Sequence, residues 1–592
     1  MNLTKIVKQF LVFTLKEIYS FFLKLFLFFA LLALIIIIIS VAVVSKQKES
    51  INKNYSYIML SPANLTDDKL QTNLLKNSKQ NISFRDLTMG IETATRDQKV
   101  KGIIIDLDRV LLTSSNIEEL TPKLEAFKKA NKKIYAYGSS IDNQNYSLAL
   151  HADEIIMVPS SSASISITGY HYSDLYMKKL FDTLGINFEV IHIGDFKSYG
   201  ENYNKETMSD GLKSELTRIL DTRLNTFTKS ISQNRKLDLQ TINTKLLNGD
   251  LALQTPFSAR DNGLVDKLEY FGQFLSRIGA KEEDVIDIYS YLSIKTPIKE
   301  HAKDKIAIIY AEGPIAYLET SGGDIAITPE NVSQKLSELN KISNLKGVVL
   351  RVNSPGGSAL GAEMIYKALS DIRVPIYVSM GSTAASGGYY ISMAGDKIFA
   401  DKSTITGSIG VVSILPKVNK GAEKYGVNSS SINKGKYSNI YDPFTPLDDD
   451  SRNKIIQSMT ETYKEFKSRV ITNRKIPDAK LETLAQGRIW LGEEAKSNGL
   501  VDEIGSLDDT IKALAKTLNL TSYEVVDIYS NESFNDLISR FLGRFGASIS
   551  TSTSAPAEII KVMDKYKFVE QNNGKPANSY RRVDERGEIP RD

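Results

Sequence analysis

The chain has no cysteine, so disulfides, thiolate catalysis and cysteine-bound zinc or iron–sulfur centres are excluded together. Histidine is almost as scarce, limited to His151, His171, His192 and His301. None of the four falls in the stretch that carries the two glycine-rich turns described below; His192 could reach it across copies, but its apolar VIHIG surroundings read as those of a packed core histidine, and another activator is expected. A charge surplus of either sign is also missing, with 74 basic against 70 acidic residues and a net charge of +4. Nucleic-acid binding usually leaves a basic excess, and nucleic acid is therefore not an expected partner.

What is present points to a multidomain globular protein. The 592 residues exceed what one core can organise, and 42% hydrophobic with 24% charged residues lies outside the disordered regime. An uncharged run from Leu25 to Val44, LFLFFALLALIIIIISVAVV, is long enough to cross a bilayer core of ~30 Å as a helix. It reads as a transmembrane anchor, being longer than the apolar region of a cleaved signal peptide. Lys5, Lys8, Lys16 and Lys24 precede it, and Lys46, Lys48 and Lys53 follow. That balance favours a cytoplasmic N-terminus by a small margin.

The remainder is written twice. Asn234-Arg235-Lys236 recurs as Asn473-Arg474-Lys475, and the Asn-Gly-Leu-Val-Asp ending at Asp266 recurs ending at Asp502. VKGIIIDLD from Val100 parallels LKGVVLRVN from Leu345, and YSLALHADEII from Tyr146 parallels YYISMAGDKIF from Tyr389. Matches that stay in order at a spacing of about 240 residues indicate a tandem duplication. Short apolar runs such as GIIID, GVVLRV and PIYVSM alternate with helical stretches in each copy, the rhythm of β-α units with buried strands. Long helices are predicted from Asp210 to Gln240 and from Asp449 to Asn473. The expected organisation is an N-terminal stub and anchor (1–50), a first repeat (51–300), a second repeat (301–546) and a polar linker, short helix and mobile tail (547–592).

Two strand-to-helix turns in the second copy are loaded with small residues, VNSPGGSA from Val352 and MGSTAASGGYYIS from Met380. Paired glycines let backbone N–H groups face a ligand, and a helix start adds partial positive charge, which suits an oxyanion hole. Ser386, flanked by Ala384, Ala385, Gly387 and Gly388, is the candidate nucleophile. Without a histidine, a lysine can activate it if burial lowers the amine toward the working pH. Lys197 in IHIGDFKSYGENY is the candidate base, because the aligned second-copy stretch has Ser438 in its place. Conversely, the first copy has Asn143 where the second has Ser386. Each copy has thus kept one half of a dyad, although Lys436, two residues before Ser438, remains a second candidate base. The other readings left open are a crotonase-like acyl-CoA hydrolase or isomerase and a catalytically silent membrane scaffold.

Taken together, SPGGSA, ASGGYYIS, TGSIG, the GDFKS loop, the duplication and the anchor resemble bacterial signal peptide peptidase A in its long, duplicated form, over roughly Asn54 to Leu542. The resemblance implies an α/β fold of two tandem crotonase/ClpP-like domains behind one transmembrane helix. It implies a Ser-Lys dyad shared between halves and a homotetramer on the bacterial inner membrane with its catalytic body on the periplasmic side. The implied substrates are signal peptides left after preprotein cleavage, and no metal or organic cofactor is expected. By the same carry-over Ser408 would orient the lysine, and N–H groups near Gly356, Gly357 and Gly387 would hold the oxyanion.

Overall fold

The structure, a computed structural model, describes residues 54–63, 65–68, 82–295, 301–318 and 326–529, with positions 23, 24, 28 and 31. Apart from Phe28 and Leu31, the apolar run Leu25 to Val44 lies outside the described residues, as does the polar tail. No helix among the described residues is long and apolar enough to cross a membrane.

The first half contributes β1 (Tyr57–Leu60), β2 (Gly102–Asp106), β3 (Lys133–Gly138), β4 (Glu154–Met157), β5 (Asn187–Ile193), β6 (Lys267–Leu268) and β7 (Val285–Asp287). All but β5 form one sheet in the order β6-β4-β3-β2-β1-β7, and every pair in it is parallel. Parallel strands need crossovers, supplied here by helices that include α1 (Phe84–Arg96), α2 (Ser114–Lys129) and α3 (Asn143–Ala149). Helices cover both faces, which is why GIIID reads as an unbroken apolar run: Ile103, Ile104 and Ile105 are all buried. Helix α4 (Asp210–Arg235) is shorter than predicted. Lys236 takes a left-handed conformation that ends it, and Asp238 caps a new helix at Leu239.

The second half repeats the plan with β8 (Lys305–Glu312), β9 (Leu345–Ser354), β10 (Ile376–Ala385), β11 (Lys397–Ala400), β12 (Ile405–Gly407), β13 (Val411–Lys417), β14 (Ile489–Leu491), β15 (Glu503–Ile504) and β16 (Glu524–Ile528). Its sheet runs β14-β12-β10-β9-β8-β16, with β11 bridging β10 and β15. Helices α5 (Ala359–Ser370) and α6 (Gly387–Ser392) follow β9 and β10, and α7 (Asp449–Arg474) matches α4. Strand β10 runs further than predicted, up to the residue before Ser386.

The most faithfully repeated residues are braces. Arg235 donates to Gly263 O and to both oxygens of Asp266, while Arg474 does the same to Gly499 O and Asp502. Each aspartate also accepts a strand N–H, from Ile155 or Ile398, so the motif ties the long helix to the sheet.

Two features weld the halves together. Strand β5 leaves the first sheet and pairs antiparallel with β13, from Val411 opposite Ile193 to Lys417 opposite Asn187. Below the second sheet, Arg351 on β9 is only 1% exposed and reaches Asp67 at 3.1 Å, Glu119 of α2 at 2.5 Å and Ser379 of β10 at 2.9 Å. Lys335 pairs with Asp68 at 2.7 Å in the same region. A buried cation left without its carboxylates is strongly destabilising, so these contacts demand that both halves be in place.

Candidate active site

Strand β9 ends at Ser354, and the chain turns through Pro355, Gly356 and Gly357 before Ser358 caps α5 by accepting the Gly361 N–H. Gly356 and Gly357 have φ of +99° and +148°. A Cβ on Gly357 would lie 2.1 Å from Ile315 O, and one on Gly356 would lie 2.6 Å from Gly387 N. No other residue fits either position. The Gly356 N–H is turned inward to Ser354 Oγ at 3.2 Å. Those of Gly357 and Gly387 meet no acceptor among the described residues.

Ser386 stands between β10 and α6 with φ 53° and ψ −119°, a conformation that costs a side-chain-bearing residue energy and recurs at functional turns. Although it occupies the N-cap position, its hydroxyl makes no capping bond. The backbone is pinned on both sides, by Ser386 N–H to Gly407 O at 2.9 Å and Tyr390 N–H to Ser386 O. The hydroxyl is thereby left half-buried beside the Gly356–Gly357 turn.

The loop after β5 brings Lys197 to this hydroxyl from the other half. Its Nζ lies 3.0 Å from Ser386 Oγ, 2.9 Å from Ser408 Oγ and 3.0 Å from Ser408 O. The side chain is 7% exposed, and burial alone lowers its ammonium to about 8, with no charged neighbour contributing. A neutral amine has two N–H bonds and one lone pair. Ser408 O can only accept, and Ser408 Oγ can take the second N–H. The lone pair is then left to face the Ser386 hydroxyl.

Of the residues singled out in the sequence, Ser386, Lys197 and Ser408 thus meet, with Gly356, Gly357 and Gly387 beside them. Lys436 does not join them; it is exposed and paired with Asp450 at 2.6 Å. Ser438 is exposed and donates locally to Gly435 O. Asn143, the counterpart of Ser386, spends its amide on Gly169 O and the Thr168 N–H, closing the equivalent place in the first half. Among the described residues no histidine hydrogen-bonds Ser386 or Lys197: His192 bonds Tyr199 O, and His151 bonds Thr121.

Sequence reasoning missed the stretch Gln486–Arg488, which touches the segments that carry Lys197 and Ser408. Gln486 O accepts the Phe196 N–H at 2.8 Å, and Arg488 O accepts the Ser408 N–H at 2.6 Å. Its only local signal is a Gln-Gly pair in a left-handed backbone, with φ of 57° and 81°. Among the described residues, no group of histidine and carboxylate side chains could hold a metal ion.

Comparison with known proteins places the chain among peptidases. The family model described as peptidase family S49 matches residues 126–285 and 368–521, and that described as Clp protease matches residues 299–405. Protease 4 of Haemophilus influenzae is 31% identical over 480 residues, covering 77% of this chain and 76% of that one. Protease 4 of Salmonella typhi is 29% identical, covering 79% and 75%. The chloroplastic serine protease SPPA of Arabidopsis thaliana is 27% identical, covering 79% and 70%.

Proposed function

Since the chain belongs to peptidase family S49 and is a serine protease, we propose that it is a membrane-anchored endopeptidase working through a Ser386–Lys197 dyad. The observation that supports this most directly is the 3.0 Å approach of Lys197 Nζ to Ser386 Oγ from opposite halves of the chain. The neutral amine takes the Ser386 proton as Oγ bonds to the peptide carbonyl carbon. The Gly357 and Gly387 N–H groups receive the negative charge that collects on the carbonyl oxygen. Gly356 shapes this hole without donating to it, because its N–H is already engaged. As the C–N bond breaks, the lysine ammonium protonates the leaving nitrogen. Water then attacks the acyl-serine, giving its proton to the amine, and Ser386 recovers a proton when the product acid leaves. Ser408 holds the amine throughout.

The test is covalent. A fluorophosphonate probe should label the full chain, and labelling should vanish in Ser386→Ala and Lys197→Ala but persist in Lys436→Ala. Loss in Lys436→Ala with retention in Lys197→Ala would assign the base wrongly here. The free amine is the active form and its ammonium titrates at about 8. Labelling should therefore climb about tenfold per pH unit below 8 and level off above it.

The apolar run Leu25 to Val44 is the basis for placing the protein on the bacterial inner membrane with its body on the periplasmic side. A tether of that kind suits hydrophobic peptides, and we take signal peptides left after preprotein cleavage as the substrates, with a homotetramer as the working form. Deleting residues 1–44 should move the protein from the membrane fraction to the soluble fraction with probe labelling retained. Continued membrane association of the truncated chain would remove the anchor from this proposal.

A further inference from the structure

We infer that Gln486–Arg488 is the positioning element of the dyad, and that the Arg488 side chain is the cover that keeps water from the Lys197 amine. The inference rests on the Ser-Lys reading above. Residues 187 to 193 are registered by β13, but beyond Ile193 the base-bearing loop has no strand to hold it. Two of its long-range backbone bonds go to one residue, Phe196 N–H to Gln486 O at 2.8 Å and Asp195 N–H to Gln486 Oε1 at 3.0 Å. Gln486 is itself fixed by the Tyr463 hydroxyl and by Glu482. Gly487 lies directly under the lysine, where a Cβ would come within 2.4 Å of Lys197 N and 2.5 Å of its Cα. From the same three residues, the Gly487 N–H bonds Ile409 O and Arg488 O receives the Ser408 N–H. One short segment therefore sets the distance between the amine and the serine that orients it.

The Arg488 side chain adds the cover. Its guanidinium lies over the Phe196 ring, 3.5 Å from the centroid, and Nη1 donates to Glu215 Oε1 at 2.8 Å. Glu215 is a buried residue of α4 that also accepts from Arg218 and from the Ile489 N–H. The guanidinium is thus clamped over the residue preceding Lys197. Titratable groups facing this region are Asp195 and His192 on the lysine's own segment, Glu201 on the short helix after it, and Arg488 and Glu215 from the elements packed upon it. None of them accounts for the lowered ammonium of Lys197, which comes from burial alone. Anything that lets water in must therefore push that ammonium back up.

The experiment measures the rate at which a fluorophosphonate phosphonylates Ser386 across pH 6 to 10 in the full chain, with folding checked by circular dichroism. The O–P bond forms, fluoride leaves, and the serine proton passes to Lys197. Arg488→Met should move the acid limb of the profile alkaline by about one unit, slowing labelling about tenfold at pH 7 while leaving the high-pH plateau near that of wild type. Arg488→Lys, which keeps a cation over the ring and toward Glu215, should lack most of the shift. Glu215→Gln, which loosens the clamp without removing it, should move the limb the same way by less. If Arg488→Met does not fold, Glu215→Gln carries the test. A limb unmoved in Arg488→Met, or in Glu215→Gln where the methionine variant does not fold, overturns the inference, with the plateau lowered or not. Absence of labelling in wild type at every pH would instead refute the Ser-Lys reading itself.

Discussion

Replacing Lys197 with Met should produce a folded protein that resists heat better than wild type at pH 7 and has lost at least about a thousandfold in kcat/KM. Both effects come from the same burial. In the unfolded chain the ammonium has its ordinary value of 10.5, and in the fold it is lowered to about 8. A base lowered in this way opposes folding most below the folded value, and the penalty disappears as pH rises past the unfolded one. At pH 7 it amounts to about 3 kcal/mol. Methionine fills the same channel without the charge but leaves Ser408 O and Oγ without the amine, so the net gain should be about 1 to 2 kcal/mol. The difference in Tm between variant and wild type should shrink between pH 8 and 10.5. A variant less stable than wild type at pH 7 would mean that Lys197 is not the penalised group, and residual turnover within tenfold would mean that it is not the base.

Gly357→Ala should cost about a hundredfold to a thousandfold in kcat, the usual effect of removing one oxyanion donor. The added methyl cannot be accommodated where it would form, 2.1 Å from Ile315 O, and φ of +148° is adverse to any side chain. The turn must move, taking its N–H away from the carbonyl oxygen. Because the amine is untouched, the acid limb of the pH profile should stay where wild type has it. KM should change little, since the lost bond matters chiefly once charge has developed. Activity within threefold of wild type would exclude Gly357 as a donor. A displaced acid limb would show that the substitution had reached Lys197 instead.

The parts of this arrangement that could be read in the sequence are those whose signal is local or repeated. Asn-Gly-Leu-Val-Asp was visible because both copies use it to brace a helix against a sheet. Ser386 was visible because small residues crowd one turn. Lys197 on its own looked like any surface lysine; only its alignment with Ser438, and that of Asn143 with Ser386, distinguished it. What escaped notice depends on contacts between distant segments. Arg351 directly follows the apolar run Val348–Leu350, and nothing nearby announces that Asp67 and Glu119 will meet it. Gln486–Arg488 is equally silent, since the groups it binds lie about eighty residues away, at Ser408 and Ile409, or almost three hundred, at Asp195 and Phe196. The end of α4 at Arg235 was missed because a left-handed lysine does the work that glycine usually advertises.

The β5–β13 ribbon acts as a ruler for the chemistry. Side chains alternate along a strand, so a slip of one residue would advance the following loop by about 3.4 Å and turn each ribbon side chain to the opposite face. That step exceeds the tolerance of a single hydrogen bond, and the amine would overshoot its hydroxyl. If Lys197 is the base, a substitution in either copy that shifts this pairing should abolish activity even when both sheets remain sound.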